Sequence, residues 1–169
     1  QGLPVEASPE SIDKALEFVA GRLRIWLTDQ GWRYDVVDAA LGENADDPYR
    51  ALQVVRDLAG WVARPEWPAL LAAYSRCVRI VRGQAQTFEL QPAYLQEPAA
   101  GALLEAYRAA QARVNPQGSV DDLFEAVQEM VPAINRFFED ILVMAEEREL
   151  RESRLALLQR IAGLARGIV

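Results

Sequence analysis

The side chains best placed to do chemistry in this chain are arginines. Arg76 and Arg79 stand three residues apart on one helical face, with Arg82 about a turn further on. Arg151 and Arg154 repeat the three-residue spacing. A guanidinium makes forked contacts to phosphate and stacks on bases, so such pairs suit a nucleic-acid backbone. Trp32-Arg33-Tyr34 joins two aromatic rings to a cation, the composition of a base-stacking platform or of a loop plug over the core. Arg22 lies four residues from both Phe18 and Trp26, where a structural role competes with RNA contact. Met144 is a candidate lining for an apolar slot that holds an unstacked base, or else a core residue. For the arginine pairs the competing reading is a solvated face with internal salt bridges. Glu149 and Glu152 would then compensate Arg151 and Arg154, whose charge is disfavoured near a helix N-terminus.

All of these groups bind and none transfers anything. Histidine is absent, so Ser-His-Asp, Cys-His and histidine-based metal chemistry have no residues to work with. No carboxylate motif replaces them. Asp121-Asp122 reads as helix-start charge. Glu146-Glu147-Arg148-Glu149 lacks the spacing and the glycine of a calcium loop. Cys77 falls on an apolar helix face and reads as a buried, inert thiol. As a lone cysteine it can form no intrachain disulfide, which fits a reducing cytoplasm.

The charge balance is double-edged. A net charge of −7 opposes nucleic-acid binding for the chain as a whole. Its distribution is uneven, however. Pro68 to Phe88 contains no acid and carries Arg76, Arg79 and Arg82, whereas Asp121 to Glu152 holds ten acids. Lys14 is the sole lysine, a bias that arginine function, genome composition or heat adaptation would each produce.

The elements that must position these residues are helical. The 169 residues fit one domain, and their 51% hydrophobic and 25% charged content is that of a globular core with a charged surface. No run of 18 apolar residues argues for a membrane span. Residues 1–7 read as a linker or a cut within a longer chain and not as a signal peptide, with the helical domain over 8–169. Ser8-Pro9 opens a first helix with Ile12, Leu16, Val19, Leu23 and Trp26 following at three- and four-residue steps and Leu23 in the core, closed by Gly31. A short helix is expected over 35–41, stopped by Gly42. Asp47-Pro48 starts a third on Leu52, Val55, Ala59 and Val62, broken at Arg64-Pro65. A fourth covers 66–82 on Trp67, Leu70, Tyr74, Cys77 and Val81, closed by Gly83. After an irregular stretch over 84–98, a fifth covers 99–114. Residues 115–118 form a turn, and Ser119 with Asp122 forms a capping box for a sixth helix ending near Met130. Pro132 is expected to kink or restart the helix, giving a seventh through Phe137 and Phe138. An eighth is expected over 149–169, with an apolar pattern that would continue a few residues further. The reading is all-α: a single compact bundle of about seven to eight helices.

Three stretches carry a family resemblance. Phe18-Val19-Ala20-Gly21-Arg22-Leu23-Arg24, then Asp29-Gln30-Gly31 and Tyr34-Asp35, is similar to the F-x-x-x-R-L-R and D-Q-G strings of the bacterial glycyl-tRNA synthetase β subunit. Ala73 to Ile80 resembles that family's A-N-K-R-V-x-N-I, matching at Arg76 and Ile80 and departing at Tyr74, Ser75 and Arg79. Pro132 through Phe137-Phe138, Val143-Met144-Ala145-Glu146, Leu150-Arg151 and Arg154-Leu155-Ala156-Leu157-Leu158 is similar to its closing segment. Arginyl-tRNA synthetases close on a comparable helix, and the first stretch favours glycine. The helical class is named for an Asp-Ala-Leu-Arg string that this sequence lacks.

The resemblance implies a C-terminal anticodon-binding domain of the DALR type that recognises glycine tRNA and performs no reaction itself. The tRNA contacts would come from Arg22, Arg33, Tyr34, Arg76, Arg79, Met144, Arg151 and Arg154. ATP, glycine and Mg²⁺ would be handled in the catalytic α part of a glycine–tRNA ligase. The chain's other partners would be the remaining β domains and the α subunit, in the cytoplasm and away from membranes. Two alternatives stay open: a helical protein–protein interaction module, and the equivalent domain of an arginyl-tRNA synthetase. The fate of Arg76, Arg79, Arg151 and Arg154 discriminates between RNA and protein, since an open basic face favours RNA and pairing with the chain's own acids favours the module.

Overall fold

Helix starts and stops are set by local hydrogen bonds. The Ser8 hydroxyl accepts from the Ser11 amide at 3.2 Å and the Asp47 carboxylate accepts from the Arg50 amide at 2.9 Å. Ser119 and Asp122 cap each other's amides, at 3.0 and 3.4 Å. Each such cap stabilises its helix by about 1 kcal/mol. Gly31 and Gly83 follow helix ends with φ of 90° and 88°, a left-handed conformation that side chains with a Cβ resist.

The computed structural model describes residues 8–115 and 118–169. The expected linker over 1–7, and Pro116-Gln117 of the expected turn, lie outside the described residues. Seven α-helices and no strand are found among them: α1 Pro9–Asp29, α2 Tyr34–Asn44, α3 Pro48–Val62, α4 Trp67–Val81, α5 Pro98–Arg113, α6 Val120–Asp140 and α7 Arg148–Ala162. Short 3-10 helices occupy Pro92–Tyr94 and Gly163–Ala165. The all-α expectation holds.

Two apolar clusters lie side by side. One is closed by α4, α5, α6 and α7 around Cys77, Leu103, Met130, Ile134, Phe137, Leu157 and Ile161. The other gathers α2, α3 and the first turns of α6 around Val37, Ala51, Val55, Leu58, Trp61, Leu123 and Val127. Tyr74, Val114, Val131 and Leu164 touch both, so the two cores pack as one body. The Trp61 indole donates to Asp121 at 2.6 Å, and its ring packs 5.6 Å from that of Phe124.

Five expectations need correction. Pro132 neither kinks α6 into two helices nor restarts it. The helix continues through it from Val120 to Asp140, with Val120, Leu123, Val127, Met130, Ile134 and Phe137 buried along one stripe. Pro132 itself is exposed, away from that stripe, so the donor it removes sits on the wetter side, and the burial on the other side outweighs that loss. The last helix stops at Ala162, well short of Val169. Gly167 turns at φ 77°, and Ile168 folds back into the second core, where its carbonyl accepts from Asn44 at 2.9 Å. The Gly167 amide donates to Glu43 at 2.8 Å. α2 runs past Gly42 to Asn44, whose buried amide clasps that tail. In α3 the buried stripe is rotated onto Ala51, Val54, Val55, Leu58 and Trp61. Lastly, the apolar stripe expected along α1, with Leu23 as core, is not core. Leu27 alone is buried, Leu23 is half-buried, and Ile12, Leu16, Val19 and Trp26 face solvent. α1 meets α2 and α3 near its C-terminal end, and no other described element covers the rest.

Candidate nucleic-acid interface

The connection between α6 and α7, residues 141–147, is held by two guanidiniums. Arg154 is only 5% exposed. It pairs with Glu97 at the start of α5 and donates to the Leu142 carbonyl at 2.8 Å. Arg151 donates to the carbonyls of Ala145 and Glu146 at 2.7 and 3.1 Å. Arginine suits this work because its planar fork offers several donors to separate acceptors. Ile141 and Val143 are buried while Leu142 and Met144 are 73% and 52% exposed. The pinned strand-like segment therefore alternates, with two apolar side chains offered outward. Three residues before it, Phe138 carries the Arg76 guanidinium 4.3 Å from its ring centre, a cation–π contact.

This placement corrects the reading of Arg154 as a tRNA contact. A guanidinium enclosed by its own chain reaches no phosphate, and its role is to position the loop that carries Met144. Arg151 is half-buried and engaged with the same loop. Met144 is on the surface and not in the core, as a base-facing role requires.

A groove of about 830 Å³ opens beside the C-terminal ends of α4 and α7. Its apolar wall includes Val81, Phe88, Tyr107 and Val114, and its polar lining includes Gln111, Gln159, Arg160 and Arg166, with Glu43 at one edge. The segment after α4 is tied down here by Gln159, which accepts from the Phe88 amide at 3.0 Å and donates to the Gln86 carbonyl at 2.9 Å. The Ser153 hydroxyl donates to the Gln91 carbonyl at 2.8 Å. The Tyr74 hydroxyl donates to the Ala162 carbonyl at 2.8 Å, and burial pushes its pKa up to about 12. Burial likewise pushes the Cys77 thiol up to about 12, which makes it a poor nucleophile at neutral pH.

Among the described residues, the exposed side chains of Arg79, Arg82, Arg160 and Arg166 make no hydrogen bond, ion pair or ring contact. Val81, between the first two, lines the groove with the other two. Elsewhere most arginines are neutralised by acids: Arg24 by Asp38 at 2.7 Å, Arg108 by Glu105 at 2.6 Å, Arg113 by Glu125 and Glu129, Arg136 by Asp140 and Arg148 by Glu152, whereas Arg56 on α3 is exposed and has no acid partner among the described residues. Sequence reasoning singled out Arg79 but missed Arg160 and Arg166. The signal was present, since residues 153–169 contain no acid, the same feature that drew attention to 68–88.

The remaining candidates stand apart, on α1 and the α1–α2 turn. Arg22 lies over the Phe18 ring at 5.6 Å. Arg33 grips Asp35 through two hydrogen bonds of 3.0 and 2.6 Å, which hold the Asp35 carboxyl below the usual carboxylate range. Tyr34 is exposed and Trp32 packs on the second core. The structure thus gathers Arg76, Met144, Arg151 and Arg154 around the α6–α7 connection and puts Arg79 at the far end of α4. Arg22, Arg33 and Tyr34 join neither group. No group of three or more Cys, Asp or Glu side chains converges as a metal site among the described residues, and no helix is long and apolar enough to cross a membrane.

Comparison with known proteins gives this geometry a family. Residues 70–167, more than half of the chain, match the model of the DALR anticodon binding domain. The chain is 36% identical over 163 residues to the glycine–tRNA ligase beta subunit of Desulfatibacillum aliphaticivorans, covering 92% of this chain and 23% of that protein. It is 33% identical over 155 residues to the glycine–tRNA ligase beta subunit of Moorella thermoacetica, covering 90% and 22%. The chloroplastic/mitochondrial glycine–tRNA ligase 2 of Arabidopsis thaliana is 29% identical over 168 residues, covering 98% and 16%. The chain therefore spans less than a quarter of the length of these relatives.

Proposed function

From the premise that this chain belongs to the DALR anticodon-binding domain family, we propose that it is the tRNA-gripping part of a glycine–tRNA ligase β subunit and reads the anticodon of glycine tRNA in the cytoplasm. One observation carries the reading. On a molecule of net charge −7, Arg160 and Arg166 line one groove without side-chain partners, Arg79 and Arg82 stand unpaired at the end of α4 that borders it, and most arginines elsewhere are paired. An unpaired guanidinium keeps its full attraction for phosphate, and each phosphate it neutralises releases counterions. The acidic remainder repels RNA that approaches in other orientations.

In this reading the groove takes the backbone of the anticodon stem or loop. The connection pinned by Arg151 and Arg154 supplies an apolar shelf, Leu142 and Met144, beside the Arg76–Phe138 stack. Unstacked bases lie against such surfaces. ATP, glycine and Mg²⁺ belong to the catalytic α part, which with the other β domains makes up the rest of the enzyme. The test is binding to glycine tRNA across a salt series with an anticodon-substituted tRNA alongside. Weaker binding of the substituted tRNA, with a steep salt slope for both, is the expected result. Equal binding of the two would reduce the role to a backbone grip.

The fate of the arginines also bears on the rival reading, a protein-interaction module. Arg154 does fold onto an acid of its own chain. The four open arginines are what keep RNA ahead.

A further inference from the structure

From Ile12 to Trp26, α1 leaves an apolar seam in water. Ile12, Leu16, Val19, Leu23 and Trp26 recur at steps of four, three, four and three, the spacing at which two helices interlock side by side. Four of the five are 40–49% exposed. A lone exposed apolar residue needs no explanation, but a seam this regular marks a contact surface. From Ile12 to Trp26 it is about 21 Å long, the reach of a helix of some four turns, at ~1.5 Å per residue.

The charge beside the seam says what kind of helix fits. A groove of about 500 Å³ runs between α1 and the end of α2. Its floor includes Leu16 and Ala20, and its rim carries Asp13, Glu17, Glu43 and Asp46, with no cation among its lining residues. A phosphate backbone or an anionic membrane is repelled by such a rim. A second copy of α1 is a poor occupant as well. Lys14 is already bound to Glu10, Arg24 to Asp38, and Arg22 lies over Phe18, so that helix would bring mainly its own carboxylates.

We propose that the seam of α1 seats an amphipathic helix with basic flanks, contributed by the part of the polypeptide that lies outside these 169 residues. The proposal rests on the reading that the chain is one piece of a longer β subunit, and the relatives supply the material: more than three quarters of their length lies beyond the match. Such a helix would bury the seam, place its Lys or Arg residues on the acidic rim, and fix the angle between the tRNA-binding body and the rest of the enzyme.

The test is photo-cross-linking in the complete polypeptide, with Val19 replaced by p-benzoylphenylalanine and the product mapped by mass spectrometry. The expected product is a cross-link within one polypeptide, to a segment outside this chain whose apolar residues repeat at three and four and whose flanks carry Lys or Arg. Asp13→Lys with Glu17→Lys should lower its yield roughly tenfold, because like charges then face each other across the contact. Capture of a second copy, of another polypeptide or of tRNA would overturn the proposal, as would the absence of any product. The salt series with glycine tRNA reads the groove arginines and not this seam. Loss of tRNA binding with an intact cross-link would sink the functional reading alone, and the reverse result would sink only the docking.

Discussion

Two surfaces of this molecule leave opposite things undone. Around α1 the cations are satisfied and the apolar side chains are not. Lys14, Arg24 and Arg33 each have an acid, while Ile12, Leu16, Val19 and Trp26 remain in water. At the groove beside α4 and α7 the apolar side chains pack against the first core, while Arg160 and Arg166 in its lining, and Arg79 and Arg82 at the bordering end of α4, are bare. Each deficit names the chemistry that would fill it: an apolar helix at the first surface, a polyanion at the second. The family match falls on 70–167 and so contains the bare arginines and not α1. The two surfaces are neighbours, since Glu43 lines both the arginine groove and the groove beside α1.

Stability measurements can break this comparison. The largest effect is expected at the residue that neither surface exposes. Arg154→Ala should lower stability by about 3 kcal/mol, because it strands a part-buried carboxylate at Glu97 and unpins the Leu142 carbonyl. Chemical denaturation measures it. An unchanged midpoint would mean that the pair is ornamental and the loop self-supporting. Leu27→Ala, at the one buried position of α1, is expected to cost nearly as much, about 2–3 kcal/mol. Val19→Ala, eight residues earlier on the same helix, should cost under about 0.5 kcal/mol in this chain by itself. A large loss at Val19 would show that the seam is covered from within.

A weaker effect on stability but a larger one on binding is expected at the groove. Replacing Arg79, Arg82, Arg160 and Arg166 with Gln should move stability by no more than about 0.5 kcal/mol, since none of them has a partner to lose. The smallest effect is expected at Arg33–Asp35. The Asp35 carboxyl is held below its usual range by Arg33, so the pair adds stability above the unfolded carboxylate value of about 3.9. That contribution fades as pH falls through the lower folded value. Asp35→Asn should therefore destabilise slightly at neutral pH and not at all in strong acid, which paired thermal melts can read.

Much of the fold was legible because it is local. Ser8, Asp47 and the Ser119–Asp122 box announce helix starts within three residues of themselves, and Gly31 and Gly83 announce ends. What failed was set by distant partners. Periodicity showed that α1 has an apolar face but not that no described element buries it. Pro132 could be tolerated only because the opposite face of α6 is buried along its whole length. Arg154 reads as a surface cation until Glu97, 57 residues away, is seen beside it. Arg160 and Arg166 were legible in principle, through the acid-free run over 153–169, but six-residue spacing puts them on no single helical face. Only the end of α7 at Ala162 and the turn at Gly167 bring both to one groove.

The central claim is that the four bare arginines grip tRNA. Its most direct test is the salt dependence of glycine tRNA binding to the wild type and to the four-fold Gln variant. The account predicts weaker binding by the variant at low salt, with a logarithmic salt slope shallower by roughly one unit for each phosphate the variant no longer neutralises. Equal affinity and equal slope for the two proteins would contradict it and return the molecule to the class of protein-interaction modules.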